Sequence, residues 1–217
     1  MIRVVGIGAG GHARVLLEAL KARSDIEVVG LVDADASVHG RSVLGVPVLG
    51  GDDVLASLRQ EGVRHAFIAV GGTSDNAPRR QVYELARREG FELLNVIHPS
   101  AVVSPSATLG DGVAVCPGAV VGAGARIGSN VIVNTGAIVE HDCVIGDHAH
   151  VASGAVLAGG VAVGQRAHIG AGASVRQGLH IGAGAVVALG AAVIDDVPDG
   201  VAVAGVPARP MRAGINA

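Results

Sequence analysis

Aromatic residues are almost missing from this sequence, whose 217 residues include no Trp, two Phe and one Tyr. Broad globular cores normally rely on large aromatic side chains. Their scarcity therefore predicts a narrow core filled by Val, Ile, Leu and Ala. Glycine is abundant instead, at 34 residues, which is typical of a chain with many tight corners.

The sequence also has few cysteines and no excess of basic residues. Two cysteines, Cys116 and Cys143, are too few for a disulfide scaffold. With 16 basic and 19 acidic residues, the chain lacks the basic surface that nucleic-acid binding requires. Glycines at 6 and 8 interrupt the first apolar stretch, so it does not read as a leader, and no uncharged apolar run suits a bilayer span. We therefore predict a cytoplasmic protein without nucleic-acid or membrane partners.

A six-residue pattern repeats seventeen times without insertion from Val96 to Val197. The second place of each hexad is always aliphatic, and the sixth is always small or apolar. A hexapeptide period is typical of a parallel β-helix, in which each coil buries its aliphatic column against its neighbours. Three hexads complete one coil, so residue i should stack on residue i+18 at the strand spacing.

The part of the chain before the repeats alternates apolar runs with helical patterns. The runs cover 2–7, 26–33, 65–72 and 91–98, and the helical patterns cover 13–23, 52–61 and 78–90. Such alternation predicts a parallel sheet covered by helices, about half of a doubly wound α/β fold. We therefore divide the chain into an α/β domain (1–95), a β-helix (96–197) and a tail rich in Pro and Gly (198–217).

A glycine-rich loop at 6–11 follows the first strand and precedes a helix, and Asp33 ends the next strand. This is formally the dinucleotide fingerprint. Bare amides at a helix N-terminus attract any phosphate, however, so another nucleotide diphosphate is favoured over NAD(P). His12 is either a ligand contact or a plain polar residue at the helix start. Gly71 and Gly72 lie either at the ligand-binding edge of the sheet or in a plain turn.

One hexad replaces the usual Gly and Ala by Glu140, His141 and Asp142. These ionisable groups form either a solvated corner or a general base oriented by a carboxylate. Gly159 is the residue that stacks on His141, where a glycine leaves space for an acyl group and bares an amide suited to hold an oxyanion.

His150 and His168 lie one coil apart. They form either an edge ladder without chemistry or one wall of a cofactor groove. The histidine spacings do not match the zinc pattern of β-helix hydratases, so we predict no metal.

Several short segments resemble one enzyme family. They are Gly8–Ala13, Ile97–Ala101, Asn134–Thr135, Glu140–Gly146 and Gly205–Arg209. Together they are similar to the nucleotide-sugar acetyltransferases of the left-handed β-helix superfamily, which include bacillosamine and sialic-acid types, and most similar to GDP-perosamine N-acetyltransferases. The resemblance implies a left-handed β-helix and a homotrimer with active sites between subunits. It also implies that acetyl-CoA lies in the groove between neighbouring β-helices.

The resemblance also implies roles for individual residues. His141 would be the base, and Asp142 would raise its basicity. His150 would contact acetyl-CoA, with Ala171 and Leu189 lining the groove mainly through their backbone. The residues expected around the nucleotide are Gly10, Gly11, His12, Asp33, Ala34 and Gly71.

The predicted reaction is acetyl transfer from acetyl-CoA to the 4-amino group of a nucleotide-linked deoxy-amino sugar, by direct attack. A sugar O-acetyltransferase with the same base remains an alternative. An NAD(P)-binding oxidoreductase and a purely structural β-helix are further alternatives. The residues themselves do not separate a guanine from a uracil nucleotide.

Overall fold

The computed structural model describes residues 1–211. The first part of the chain forms a six-stranded sheet in the order β3-β4-β2-β1-β5-β6. The strands are β1 Ile2–Ile7, β2 Ile26–Val32, β3 Ser42–Val43, β4 Val46–Gly50, β5 His65–Ile68 and β6 Glu92–Leu93. The α-helices are α1 Gly11–Lys21, α2 Leu55–Gln60 and α3 Ala77–Arg88, and two short 3-10 helices cover Ala36–Val38 and Asp52–Val54. Within 1–211, no helix has the length and apolarity to cross a bilayer.

Helices cover both faces of this sheet. The central strand β1 pairs in parallel with β2 and β5, and its buried residues alternate between two cores. On one face, Val4 packs with Leu16 and Leu17 of α1 in a core that also includes Ala114 and Ile132 of the β-helix. On the other face, α2 and α3 supply the cover. Helix α1 therefore lies between the sheet and the β-helix.

The structure corrects the strand pattern expected before residue 96. The β3–β4 hairpin was missed, because its short strands carry too few residues to show a period. The third apolar run ends at Ile68, and the fourth breaks after Leu93. At this break, the side chain of Asn95 accepts from the Val113 N–H at 2.8 Å and donates to the Gly110 carbonyl at 2.8 Å. Asn95 thus turns the chain from the sheet into the first coil.

The rest of the described chain forms three parallel sheets, the faces of a triangular prism. The first face contains β7 Val96–Ile97, β10 Ala114–Val115, β13 Ile132–Val133, β16 His150–Val151, β19 His168–Ile169, β22 Val186–Val187, β24 Ala202–Ala204 and, antiparallel, β25 Arg209–Pro210. The second contains β8 Val102–Val103, β11 Val120–Val121, β14 Ile138–Val139, β17 Val156–Leu157, β20 Ser174–Val175 and β23 Ala192–Val193. The third contains β9 Thr108–Leu109, β12 Arg126–Ile127, β15 Val144–Ile145, β18 Ala162–Val163 and β21 His180–Ile181.

The predicted left-handed β-helix is confirmed, including its register. Ala114 pairs with Ile132, which is the expected step of 18 residues. The second-place residues point inward, and Val139 and Leu157 are 0% exposed. Strand β24 continues the ladder into the segment that the sequence assigned to the tail, and residues 212–217 of that segment lie outside the described part of the chain.

Candidate active site

The corner between β14 and β15 carries the predicted base. His141 Nδ1 lies 2.9 Å from Asp142 Oδ2. When Nδ1–H donates to this carboxylate, Nε2 keeps a free lone pair. The hydrogen bond to Asp142 raises the pKa of His141, and the charges of Asp142 and Glu140 add to this effect. The two side chains are 63% and 75% exposed, so the base is open to an incoming group.

Asp142 occupies a backbone position that favours glycine. Its φ is 59°, and most equivalent corners of the β-helix have glycine at this place. Aspartate tolerates the left-handed region better than most residues, at a cost on the order of 1 kcal/mol. Gly124, one coil earlier, leaves room for the carboxylate, because a Cβ there would lie 2.8 Å from Asp142 Oδ1. The carboxylate is thus held at a strained corner, as is common at functional sites.

Gly159 lies beside His141, as the step of 18 residues predicted. A Cβ at position 159 would overlap Nε2 and Cε1 of the imidazole ring. The expected space for an acyl group is therefore filled by the His141 ring itself, which corrects that part of the prediction. The Gly159 N–H makes no hydrogen bond to any residue within 1–211, so it remains a free donor.

A cavity of about 280 Å³ lies along the first face of the prism. His150, Ala171 and Leu189, the three residues predicted to bind the cofactor, all line it, together with His168 and Gly72. His150 is only 4% exposed, whereas Leu189 is 80% exposed. The cavity therefore joins a buried polar wall to an open apolar rim.

His150 is held in one tautomer. Asn134 Oδ1 accepts from the Thr135 N–H at 2.8 Å, which fixes its amide, and its Nδ2 donates to His150 Nε2 at 3.1 Å. Since Nε2 is the acceptor, the neutral ring carries its proton on Nδ1. Within residues 1–211 this Nδ1 is buried and has no partner. Burial, with smaller contributions from nearby positive charge, lowers the pKa of His150 to about 3. His150 thus offers an N–H donor to a ligand.

His168 stacks on His150 in an edge-to-face arrangement, with ring centroids 5.0 Å apart. Its Nδ1 is also buried without a partner inside the described range. Burial lowers the pKa of His168 too. No three His, Cys, Asp or Glu side chains within 1–211 are grouped to hold a metal ion.

The predicted nucleotide-binding residues lie at the carboxyl edge of the sheet, after β1, β2 and β5. Gly10 precedes α1 and Gly11 begins it, so bare amides face this edge. The Asp33 carboxylate accepts from the Ala9 N–H at 2.7 Å and from the Asp35 N–H at 2.9 Å. Asp33 therefore shapes the glycine loop as well as facing the edge.

His12 and Gly71 meet at the same edge. A Cβ at position 71 would lie 3.5 Å from His12 Cβ. His12 Nε2 is buried without a partner in the described part of the chain. Burial lowers the pKa of His12 to about 3, with a smaller contribution from Arg79. Ala34 lines a separate cavity of about 450 Å³ that also touches Asp52.

The structure joins the nucleotide edge to the cofactor cavity through two adjacent glycines. Gly71 lies against His12, and a Cβ at Gly72 would lie 2.6 Å from His150 Nδ1. His141 is not brought to this cavity within one chain. It lies on a corner between the second and third faces, whereas the Ala171 and Leu189 corners connect the first and second.

Three residues of this region were missed by the sequence analysis as site residues. Asn134 orients His150, and the Asn76 side chain reaches across to donate to the Arg166 carbonyl at 3.3 Å. Arg79 is buried in α3. Its spacing of three and seven residues to Val82 and Ala86 places it on the apolar face of that helix, which was the available signal.

Comparisons with known proteins match both halves of the chain. Residues 3–86 match the family model described as PglD N-terminal domain. Residues 124–159 match the model described as bacterial transferase hexapeptide (six repeats). A curated relative, UDP-N-acetylbacillosamine N-acetyltransferase of Bacillus subtilis (strain 168), is 39% identical over 118 residues, which are 53% of this chain and 51% of the relative. The match thus spans about half the length of that curated relative.

Solved structures are similar over nearly the whole chain. PerB from Caulobacter crescentus, in complex with CoA and GDP-perosamine, is 47% identical with a TM-score of 0.90, covering 96% of this chain and 97% of PerB. The acetyltransferase domain of PglB from Neisseria gonorrhoeae FA1090, in complex with acetyl coenzyme A, is 41% identical with a TM-score of 0.88, covering 97% and 99%. The chain therefore belongs to the left-handed β-helix family of nucleotide-sugar N-acetyltransferases.

Proposed function

We propose that this protein transfers an acetyl group from acetyl-CoA to the 4-amino group of a nucleotide-linked deoxy-amino sugar, with GDP-perosamine the favoured substrate. The observation that carries the proposal is the His141–Asp142 pair, which leaves Nε2 free on an open corner. The likeness to PerB, which binds CoA and GDP-perosamine, supports both cosubstrates.

The chemistry needs only a positioned proton acceptor. The neutral amine attacks the carbonyl carbon of the thioester, and His141 Nε2 takes the proton that the nitrogen loses. Asp142 stabilises the resulting imidazolium, and the Gly159 N–H donates to the oxyanion. Collapse of the tetrahedral intermediate breaks the C–S bond, and the CoA thiolate takes the proton from the His141 imidazolium. Both reactants meet in one site, so no covalent enzyme intermediate is required.

The two parts of the chain divide the binding. Residues 1–95 hold the nucleotide sugar, and residues 96–197 hold acetyl-CoA and carry out the transfer, with 198–217 as a tail. The proposed nucleotide contacts are Gly10, Gly11, His12, Asp33, Ala34 and Gly71. His150, Ala171 and Leu189 contact acetyl-CoA, and this role is supported by their shared cavity.

A homotrimer completes the site. The base and the cofactor cavity lie on different edges of one prism, which supports a site in which the base of one copy faces the cavity of a neighbour. The 80% exposure of Leu189 in a single chain supports a covered groove in the assembly. We place the enzyme in the cytoplasm, where acetyl-CoA and nucleotide sugars are available.

The test is to incubate the purified protein with acetyl-CoA and a panel of GDP- and UDP-linked 4-amino sugars while following free thiol. The matched controls are the same nucleotides linked to 4-hydroxy sugars. We expect thiol release and an acetylated product with an amino sugar only. Release with the hydroxy sugars alone would identify an O-acetyltransferase. Saturable NAD(P)H binding without thiol release would instead support the oxidoreductase.

A further inference from the structure

Arg79 is buried at the junction between the α/β domain and the β-helix, with an exposure of 2%. From α3, its Nη1 donates to the carbonyls of Ile68 at 2.9 Å and Val70 at 2.6 Å. Its Nε donates to the Asn130 carbonyl and its Nη2 to the Gly112 carbonyl, both at 3.2 Å. One guanidinium therefore connects the end of β5 to two coils of the β-helix.

This guanidinium is held by carbonyl groups and not by an ion pair. Buried arginines normally pair with a carboxylate. Within residues 1–211, no carboxylate lies within ion-pair distance of Arg79. Burial lowers the pKa of Arg79 to about 9, so it stays charged at neutral pH. A cation buried at this cost, with donors directed to both halves of the molecule, has the geometry of a clamp.

The clamped segment is the one that touches both predicted ligand sites. Val70, which accepts the shortest of the four bonds, is followed directly by Gly71 and Gly72. A Cβ at Gly71 would lie 3.5 Å from His12 Cβ at the nucleotide edge, and a Cβ at Gly72 would lie 2.6 Å from His150 Nδ1 in the cofactor cavity. A shift of Val70 would therefore move the contacts to both cosubstrates relative to the β-helix.

We propose that Arg79 is a positioning residue for acetyl transfer, which clamps the Val70–Gly72 segment to the Gly112 and Asn130 carbonyls and so holds the nucleotide edge in register with the cofactor cavity. The inference rests on the proposed function. Arginine suits this role because its planar fork carries five N–H donors in fixed directions, whereas lysine presents three from one point. Lysine keeps the charge but cannot reach both halves at once.

The experiment compares Arg79→Lys, Arg79→Met and the control Arg80→Lys. Arg80 is the next residue of α3, is partly exposed and pairs with Glu84. Methionine fills a similar volume without burying a charge, so it serves as the second variant if lysine prevents folding. Calorimetry measures CoA and GDP binding, and thiol release measures turnover per folded molecule.

We expect both Arg79 variants to bind CoA like the wild type and to bind GDP more weakly. Their kcat should fall roughly 10²-fold, since small misplacements of reactants have effects of this size. Arg80→Lys should match the wild type. Wild-type kcat and GDP affinity in folded Arg79→Lys would overturn the inference. So would a loss of folding in both variants, which would make Arg79 purely structural. Absence of thiol release by the wild type is a different outcome and would reject the proposed function.

Discussion

The imidazole ring of His141 occupies the place that a Cβ of Gly159, one coil further along the β-helix, would take. The backbone of the same two coils is linked by the Gly160 N–H, which donates to the His141 carbonyl at 2.9 Å. Stacking of the coils thus fixes both the ring and the peptide of His141. It follows that position 159 must lack a side chain for the ring to adopt this orientation.

Replacement of Gly159 by alanine should displace the His141 ring and lower turnover. The backbone at 159 is outside the left-handed region, so alanine imposes no φ strain, and we expect a fall in kcat of roughly 10²-fold with the fold retained. The control is Gly184→Ala, at a corner with φ 65° and open space around it. That variant should lose about 1 kcal/mol of stability and keep its kcat. Full activity in Gly159→Ala would show that the ring position is not required.

Replacement of His141 by asparagine should reduce turnover by roughly 10²–10⁴-fold, the usual contribution of a positioned proton acceptor. Because this side chain is mostly exposed, the melting temperature should hardly change. Thiol release and thermal melts measure the two effects. His180→Asn, on an exposed histidine of the third face, is the matched control and should retain the wild-type rate. A near-normal rate in His141→Asn would remove this residue from the mechanism.

The activity of the wild type should rise with pH through the pKa of His141, because only the neutral ring accepts a proton. Asp142 raises this pKa, so the acidic limb of the profile lies above the position expected for an isolated histidine. In Asp142→Asn the acidic limb of the profile should move to lower pH. The plateau value of kcat/KM should also fall, because the tautomer of His141 is no longer fixed by the carboxylate. The measurement is kcat/KM against pH for both proteins. An unshifted limb would contradict the proposed pairing.

His150 should make the folded state sensitive to acid. Its pKa is lowered to about 3 in the folded chain and returns to the ordinary value on unfolding, so the unfolded state binds more protons between these values. The contribution of neutral His150 to stability is therefore fully present above about pH 6.5 and is lost as the pH falls toward 3. His150→Gln should remove up to about 2 kcal/mol of the loss between pH 7 and pH 5. Denaturant melts at both pH values test this, and an equal loss in both proteins would refute it.

The sequence by itself determined the β-helix and the stacking partner of its residues up to β23. A period of six places the second residue of each hexad on an inward-facing column of one of the three faces. Three hexads per coil set a step of 18 residues, which shortens to 16 where β22 pairs with β24. The pairing of His141 with Gly159 follows from this step alone. The neighbouring position of Asp142 is also local, so the sequence was enough to expect the contact between this imidazole and its carboxylate.

Only the tertiary structure decided which residues contact each other where the α/β domain meets the β-helix. Arg79 and Asn130 are 51 residues apart, and Gly72 approaches His150 from outside the β-helix, so neither contact follows from the six-residue period. Burial of a polar side chain at such a junction depends on how two surfaces pack, which no local period encodes. The break at Asn95 lies at the same junction, so no local period predicts it either. The tautomer of His150 and the orientation of the His141 ring over Gly159 depend on side-chain rotamers and hydrogen bonds, which a six-residue repeat does not specify.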